Sequence, residues 1–358
     1  MNSGPAQGTP RRSAACVIAS LLLVVLSQRA FAEATGDPRP SPSRPLSVPG
    51  NFVVTPMGYF HPSCVVSLAA GEKLVGDLVQ HRDGSQRAII PCNYPRYDAK
   101  GYATYPLSSA SPPPQANNYQ AFATLSQAPM AFLSAEWTVP DDPPHSLADQ
   151  TVYLFPGFQD SPSSRILQPV LAWNGNSGGG KKWVVYSWNC CVAGNPVQSP
   201  PVDASSGARV RGTMQGTNCN ATTGVCPNWS ITTETEQGPG QWVGSTLDTT
   251  VSTAMVQALG GALEVYAVDT CRQLPGGPGT TFSSLTLQFV GGAPVPAAWT
   301  NTENPNSPDC VLNVTSNPST VTVQYTSNDP LWCSAGRKCC DPGIETCHIC
   351  VPSGAQCP

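Results

Sequence analysis

An acid and an amide, each alone on an otherwise apolar stretch, are the residues of this sequence best suited to chemistry. Glu264 lies in Ala262-Leu263-Glu264-Val265-Tyr266-Ala267-Val268, and Gln168 in Ile166-Leu167-Gln168-Pro169-Val170-Leu171. Side chains alternate along an extended backbone, so Gln168 shares a face with Ile166, Val170 and Ala172, and Glu264 shares one with Tyr266. A buried amide has to find partners, which makes Gln168 either a satisfied core residue or part of a site. For Glu264 the choice is between an exposed sheet face and a desolvated carboxyl of raised pKa, the kind that exchanges protons with a substrate. Other catalytic signatures are missing. The four histidines, His61, His81, His145 and His348, are scattered, and neither a Gly-x-Ser-x-Gly elbow nor a His-Glu-x-x-His helix occurs. No metal or cofactor is called for.

These residues need strands to position them. Ile166 to Trp188 reads as two apolar runs rich in Val, Ile and aromatic residues, joined by a Gly/Asn/Ser turn with Gly178, Gly179 and Gly180. That is a hairpin pattern. Similar short runs succeed one another from Ala121 to Val290: around Trp137, Thr151 to Phe155, Trp183 to Trp188, Ala208 to Met214, Trp229 to Thr235, Ala262 to Val268 and Ser284 to Val290. Turn residues separate them, and only Val251 to Leu259 reads as a helical turn or two. Many strands at this spacing predict an all-β chain built as a two-sheet antiparallel sandwich or jelly roll over residues 119–292. Pro169 lacks a ladder donor, so its strand is bulged there or pairs on one side only.

The ends of the chain speak to compartment. Arg11 and Arg12 precede the apolar run Ala14 to Leu26, and Ala30-Phe31-Ala32 has the small-x-small form of a cleavage site. Residues 1–32 therefore read as a secretory signal peptide, and no later run is long and apolar enough to span a bilayer. Of 15 cysteines, Cys16 falls within that segment, leaving an even 14 for an exported chain, an argument for disulfides. The whole chain carries 18 Lys+Arg against 22 Asp+Glu. Without the three arginines before Glu33 the acidic excess grows, so there is neither a nucleic-acid footprint nor a polybasic membrane patch.

Residues 33–50 are rich in Pro, Ser and Arg and are expected to be a disordered lead-in. Residues 51–107 read as a small β module, a propeptide or an accessory domain, stapled by Cys64 and Cys92. Residues 108–118, with three consecutive prolines, read as a linker. Cys219 and Cys226 bracket a loop that closes locally. Cys190 and Cys191 are vicinal, with Cys271 among their candidate partners. Residues 293–332 read as a connecting segment, in which Cys310 is placed to tie the chain to the sandwich. The tail, 333–358, holds Cys333, Cys339, Cys340, Cys347, Cys350 and Cys357, too close together for an apolar core, so bridges rather than zinc are expected to hold it. Sequons at Asn220, Asn228 and Asn313 are glycosylation acceptors in a eukaryotic secretory pathway.

Ser134-Ala135-Glu136-Trp137-Thr138-Val139-Pro140 resembles the strand that opens the mature fold of the eqolisin-type glutamic peptidases, a family with a concanavalin-like sandwich. Phe155-Pro156-Gly157-Phe158, Ile166-Leu167-Gln168, Tyr186-Ser187-Trp188 and Leu263-Glu264-Val265 are similar to four further segments of that family, in the same order. The resemblance implies a secreted acid endopeptidase. In it Glu264 is general base toward a water and then general acid to the leaving amine, and Gln168 positions the water and donates to the oxyanion. Phe155, Tyr186, Trp188 and Tyr266 would line the cleft and hold a polypeptide substrate. The chain departs from the family pattern at Phe155, Gln159 and Val265 and in its vicinal cysteines and Cys-rich tail. The other reading is a non-catalytic sandwich that binds carbohydrate or cell-wall material. Trp137, Trp173, Trp183, Trp188, Trp229 and Trp242 either stack on a polysaccharide or fill the core.

Overall fold

A computed structural model describes residues 44–104, 118–161, 165–175, 180–268, 270–304, 310–327, 337–339, 350–352 and 356. Regular structure among them is β-strand apart from two short 3-10 turns, Pro62–Cys64 and Cys271–Gln273. Residues 44–104 carry β1 (Val53–Thr55), β2 (Gly58–Phe60), β3 (Val66–Ser67), β4 (Lys73–Val75), β5 (Leu78–Gln80), β6 (Gln86–Ala88), β7 (Arg96–Tyr97) and β8 (Ala103–Thr104). Then come β9 (Tyr119–Ser126), β10 (Met130–Thr138), β11 (Thr151–Asp160), β12 (Ile166–Trp173), β13 (Trp183–Val192), β14 (Asn195–Gln198), β15 (Val202–Ala204), β16 (Arg209–Thr217), β17 (Asn228–Gly238), β18 (Gln241–Thr250) and β19 (Met255–Tyr266). The last are β20 (Gly279–Phe289), β21 (Pro294–Val295), β22 (Thr300–Glu303), β23 (Cys310–Asn317), β24 (Thr320–Ser327), β25 (Arg337–Cys339) and β26 (Cys350–Pro352).

Two large sheets form the sandwich. One runs β18-β17-β16-β10-β20-β24-β23, and the other β22-β9-β19-β11-β12-β13-β14-β3. Between them lies a core that includes Leu133, Trp137, Leu154, Phe158, Leu171, Val185, Ile231, Leu263 and Phe282. The first sheet shows the alternation of a half-buried surface: along β10 and β17 buried residues alternate with partly exposed ones. Its outward positions carry Glu136, Arg211 and Glu234 on neighbouring strands, with ion pairs Arg209–Glu136 and Arg211–Glu234 that add little stability at the surface. Pro169 acts as its lack of a donor predicts. β12 pairs continuously with β13, whereas its ladder with β11 is broken between Leu154↔Leu171 and Phe158↔Leu167 with the register unchanged, where Pro169 stands opposite Pro156.

The second sheet is different, because its central strands are buried on both faces. Every residue of β11 and of β12 is buried, as are nearly all of β13 and β19. One face meets the first sheet. The other packs Tyr153, Phe155, Val170, Tyr186, Trp188, Leu259, Ala262 and Tyr266 against Phe52, Val54, Met57, Tyr59, Phe60 and Cys64 of the N-terminal module. The module is joined to the sheet by backbone as well. β3 adds in parallel beside β14 through Val66↔Val197, and the Leu68 amide donates to the Gln198 carbonyl at 2.9 Å. Cys64–Cys92 staples the module as its sequence implies, and Cys219–Cys226 closes its local loop.

Several expectations need correcting. Residues 44–50 are not a loose lead-in: Arg44 and Val48 are buried, and the Arg44 guanidinium donates to the carbonyls of Pro49 and Phe52. Val251 to Leu259 is not helical, since β19 starts at Met255. Its Ala, Leu, Met and Gln favour a helix, but Gly260 and Gly261 let the strand run close under two aromatic rings. A Cβ at Gly261 would run into the Phe282 ring, and one at Gly260 would meet the Trp299 ring at 2.9 Å, so tertiary packing overrides propensity. Residues 293–332 are not a mere connector, because β22 extends the second sheet and β23 and β24 the first. Cys190 and Cys191 bond to each other, leaving Cys271 to Cys310, which ties β23 to the loop after β19. Of the tail, β25 and β26 form an antiparallel pair with Cys339 opposite Cys350. Cys333, Cys340, Cys347 and Cys357 lie outside the described residues, as do residues 1–43 and 105–117. No helix among the described residues is long and apolar enough to cross a membrane.

Because Cys64–Cys92 closes a loop of 28 residues within the module, removing it should cost on the order of 2–4 kcal/mol. The Cys64→Ala, Cys92→Ala protein is expected to lose hydrogen-exchange protection at Val54 and Tyr59 before strands β16 and β17 lose theirs. Simultaneous loss across the chain would show that the module is no separate cooperative unit.

Candidate active site

Glu264 sits near the C-terminal end of β19, fully buried, on the face that meets the module. Its cross-strand neighbour on β11 is Tyr153, and Tyr266 comes two residues later on the same face. The Tyr266 hydroxyl donates to Glu264 Oε1 at 2.7 Å, and the Asn118 backbone amide donates to the same oxygen at 3.1 Å. Asn118 is held in turn by its side-chain amide, which donates to the Val265 carbonyl at 2.8 Å. The second oxygen, Oε2, is buried without a hydrogen-bond partner among the described residues. Burial pushes the Glu264 carboxyl up to about 8 against the pull of its two donors, Tyr266 and the Asn118 amide. The carboxyl is therefore neutral at pH 7, with one oxygen fixed and one unengaged. The phenols of Tyr153 and Tyr266 are also raised well above their ordinary value, first by burial, so they stay protonated donors throughout.

Gln168 lies on the same face but not beside Glu264. Continuing the register from Phe158↔Leu167, it stands opposite Gly157, whose other neighbour, on β19, is Leu259. A Cβ at Gly157 would lie 3.6 Å from Gln168 Cγ and 3.2 Å from Leu259 Cδ1, so these two side chains flank one point, and on β13 Gln168 is paired with Trp188. Glu264 is in register with Tyr153, and Tyr153 with Ala172, four residues along β12 from Gln168. At ordinary strand spacings that separates the two backbones by roughly 13 Å along the strands and ~10 Å across them, more than one water can bridge. Neither polar atom of the Gln168 side chain has a hydrogen-bond partner among the described residues, at a cost of about 1–3 kcal/mol for a buried group.

The module closes over this face with a hairpin. β1 and β2 pair through Val54↔Tyr59, and the turn between them is buried: Thr55 is 0% and Met57 2% exposed. Turn residues normally lie in water, so a buried tip marks an inserted one. The tip satisfies itself, the Thr55 hydroxyl donating to the Gly58 carbonyl at 3.0 Å and accepting from the Met57 amide at 3.3 Å. Tyr59 packs edge-on against Tyr266, ring centroids 5.5 Å apart, and the Tyr153 hydroxyl donates to the Val54 carbonyl at 3.2 Å. Arg44 lies 4.9 Å over the Tyr59 ring, completing the lid.

Of the other residues expected to line a cleft, Phe155, Tyr186, Trp188 and Tyr266 are all on this face and all buried. The tryptophans Trp137, Trp173, Trp183, Trp188 and Trp229 are buried too. Trp242 is partly exposed, with Arg211 and Arg209 at 4.3 and 5.2 Å from its ring centroid. No group of three or more His, Cys, Asp or Glu among the described residues is placed to hold a metal. Sequence reasoning passed over Tyr153, Asn118 and Leu259. Thr151-Val152-Tyr153-Leu154-Phe155 carried the signal for Tyr153: a run apolar on both faces is covered on both, so its one hydroxyl needs a buried partner.

No protein-family model matches the sequence, and no curated protein matches it. Among solved structures it is similar to Scytalido-glutamic peptidase bound to a peptide-based transition state analog, with 16% identity and a TM-score of 0.43. It is also similar to SCP-B, a member of the eqolisin family of peptidases in complex with the tripeptide Ala-Ile-His, with 16% identity and a TM-score of 0.41. Each match covers 59% of this chain and 98% of the other. At that identity and TM-score the likeness says nothing about activity.

A carboxyl whose pKa is about 8 when buried and 4.5 when free makes a stability contribution that is full below pH 4.5 and lost as pH rises through 8. Thermal denaturation between pH 4 and 9 should therefore show a loss on the order of 3–5 kcal/mol in the wild type that Glu264→Gln lacks. Parallel curves for the two proteins would mean that Glu264 is ionised or solvated in the folded chain.

Proposed function

We infer that this chain is a secreted acid endopeptidase of the glutamic type, stored in a closed form. Glu264 is its acid–base group, a water its nucleophile, and residues 44–104 its cover. The observation that carries the reading is the Glu264 carboxyl: fully buried and neutral, one oxygen fixed by two donors and the other unengaged, beneath an inserted hairpin. In water such a carboxyl returns toward its ordinary pKa. Displacing the hairpin thus turns a stored neutral acid into a carboxylate that can take a proton from water. The water oxygen then bonds to the scissile carbonyl carbon, Glu264 returns the proton to the amide nitrogen, and the C–N bond breaks to leave a carboxylic acid and an amine. Phe155, Tyr186, Trp188 and Tyr266 supply the apolar walls for a polypeptide. The even number of cysteines after Ala32 and the N-terminal apolar run support export.

A second reading, a non-catalytic sandwich, is favoured by one observation: Gln168 is paired with Trp188 and stands four residues of register away from Glu264. As a carbohydrate binder the chain would need exposed aromatic rings. Among the described residues Trp137, Trp173, Trp183, Trp188 and Trp229 are buried, Trp299 is partly buried, and Trp242 is flanked by arginines.

Purified full-length protein, intact and after nicking within residues 105–117, is to be assayed on denatured haemoglobin from about pH 2 to 7. The nicked wild type is expected to hydrolyse it, the intact protein at least ten times more slowly, and Glu264→Gln in neither state. A folded, nicked wild type without activity at any pH rules out the peptidase reading and leaves the non-catalytic sandwich.

A further inference from the structure

We propose that Tyr153, rather than Gln168, is the catalytic donor to the scissile carbonyl, and that the Val54 carbonyl of the module marks where that carbonyl sits. The inference deepens the acid-peptidase reading and rests on it. Three observations place Tyr153 there. Its Cα is the cross-strand partner of Glu264, which puts the two Cβ atoms about 4.5–5.5 Å apart on one face. Its hydroxyl already donates to a peptide carbonyl, that of Val54, at 3.2 Å in a fully buried setting. And the hairpin that supplies that carbonyl also reaches Tyr266, two residues from Glu264 on the same face, through the Tyr59 ring of β2.

An extended backbone whose carbonyl is held by a buried hydroxyl next to a buried acid is the arrangement a bound substrate requires. The hairpin therefore occupies the cleft as substrate would. Gln168 cannot share that carbonyl with Glu264, because the register sets it four residues away and pairs it with Trp188. In the reaction, the bond from water oxygen to carbonyl carbon forms as Glu264 accepts the water proton. The carbonyl π pair moves onto oxygen, and the Tyr153 hydroxyl donates a hydrogen bond to that oxyanion without giving up its proton. Collapse of the oxyanion expels the amine, protonated by Glu264. Tyr266 and the Asn118 amide keep Glu264 Oε1 fixed, so Oε2 is the oxygen that carries the proton.

The alternative for Tyr153 is a tether that holds the cover down, and the two roles have opposite signs. Losing a tether frees the site and raises activity, whereas losing an oxyanion donor lowers kcat ~10²–10³-fold. Full-length Tyr153→Phe, nicked within residues 105–117 and checked for unchanged thermal unfolding, is expected to lose kcat by that factor. A rise in activity, or no change, overturns the proposal. So does a loss of that size in Gln168→Ala with Tyr153→Phe spared; in that case Glu264 keeps its role and only the donor is reassigned. A wild type inactive in both states overturns the proposal together with the reading it rests on. Should Tyr153→Phe not fold, a fluorinated tyrosine at 153 keeps the shape and lowers the phenol pKa. A lower phenol pKa makes the hydroxyl a stronger hydrogen-bond donor, so kcat of the nicked protein within the assayed range must rise, and an unchanged kcat overturns the proposal.

Discussion

Strands buried on both faces leave their polar groups nowhere to find water, and that constraint organises the second sheet. β11, β12, β13 and β19 have the first sheet on one side and the N-terminal module on the other. A carboxylate in such a layer would cost far more than a neutral acid with hydrogen bonds. Glu264 therefore keeps its proton and takes two donors on one oxygen, while the tyrosines around it remain un-ionised. The same burial makes the module more than an appendage. Without it, Tyr153, Phe155, Tyr186, Trp188 and Tyr266 would form a broad exposed aromatic face, larger than a soluble surface ordinarily shows.

Asn118 ties these parts together. Asn118 ends the segment that connects module to sandwich, and it bonds through its backbone to the Glu264 carboxyl and through its side chain to the Val265 carbonyl. β9 begins at the next residue and pairs along β19. The site is thus assembled from the start of the sandwich and one of its last central strands, with the covering hairpin supplied by a preceding segment. Cys271–Cys310 ties the loop after β19 to β23, so the strand that carries Glu264 is anchored at its far end too.

Much of this was legible in the sequence and some was not, for identifiable reasons. Short apolar runs rich in β-formers, separated by turn residues, located the Ile166–Trp188 hairpin and the sandwich, because strands covered on both faces are written as continuous apolar runs. The shared face of Glu264 and Tyr266 came from alternation alone. The relation between Gln168 and Glu264 did not, because register is a property of pairing. The shift between Phe155↔Ala262 and Gly157↔Leu259 changes which residue of β19 faces the amide. β19 itself was misread at its start, where helix-forming residues are held extended by Gly260 and Gly261 passing under Trp299 and Phe282. The cover was visible only indirectly. Thr151-Val152-Tyr153-Leu154-Phe155 is apolar on both faces, and such a run needs two partners.

The closed site depends on the protonation state of one side chain. Site-resolved carbon NMR of the Glu264 carboxyl in the intact protein, titrated from pH 4 to 9 with Glu264→Gln as the assignment control, reads that state directly. A resonance that stays in the protonated position through pH 7 and titrates near 8 is the predicted result. A Glu264 resonance that titrates with the surface glutamates, close to the ordinary value of 4.5, would contradict it: the carboxyl would then be solvated, and the face that carries it would not be closed.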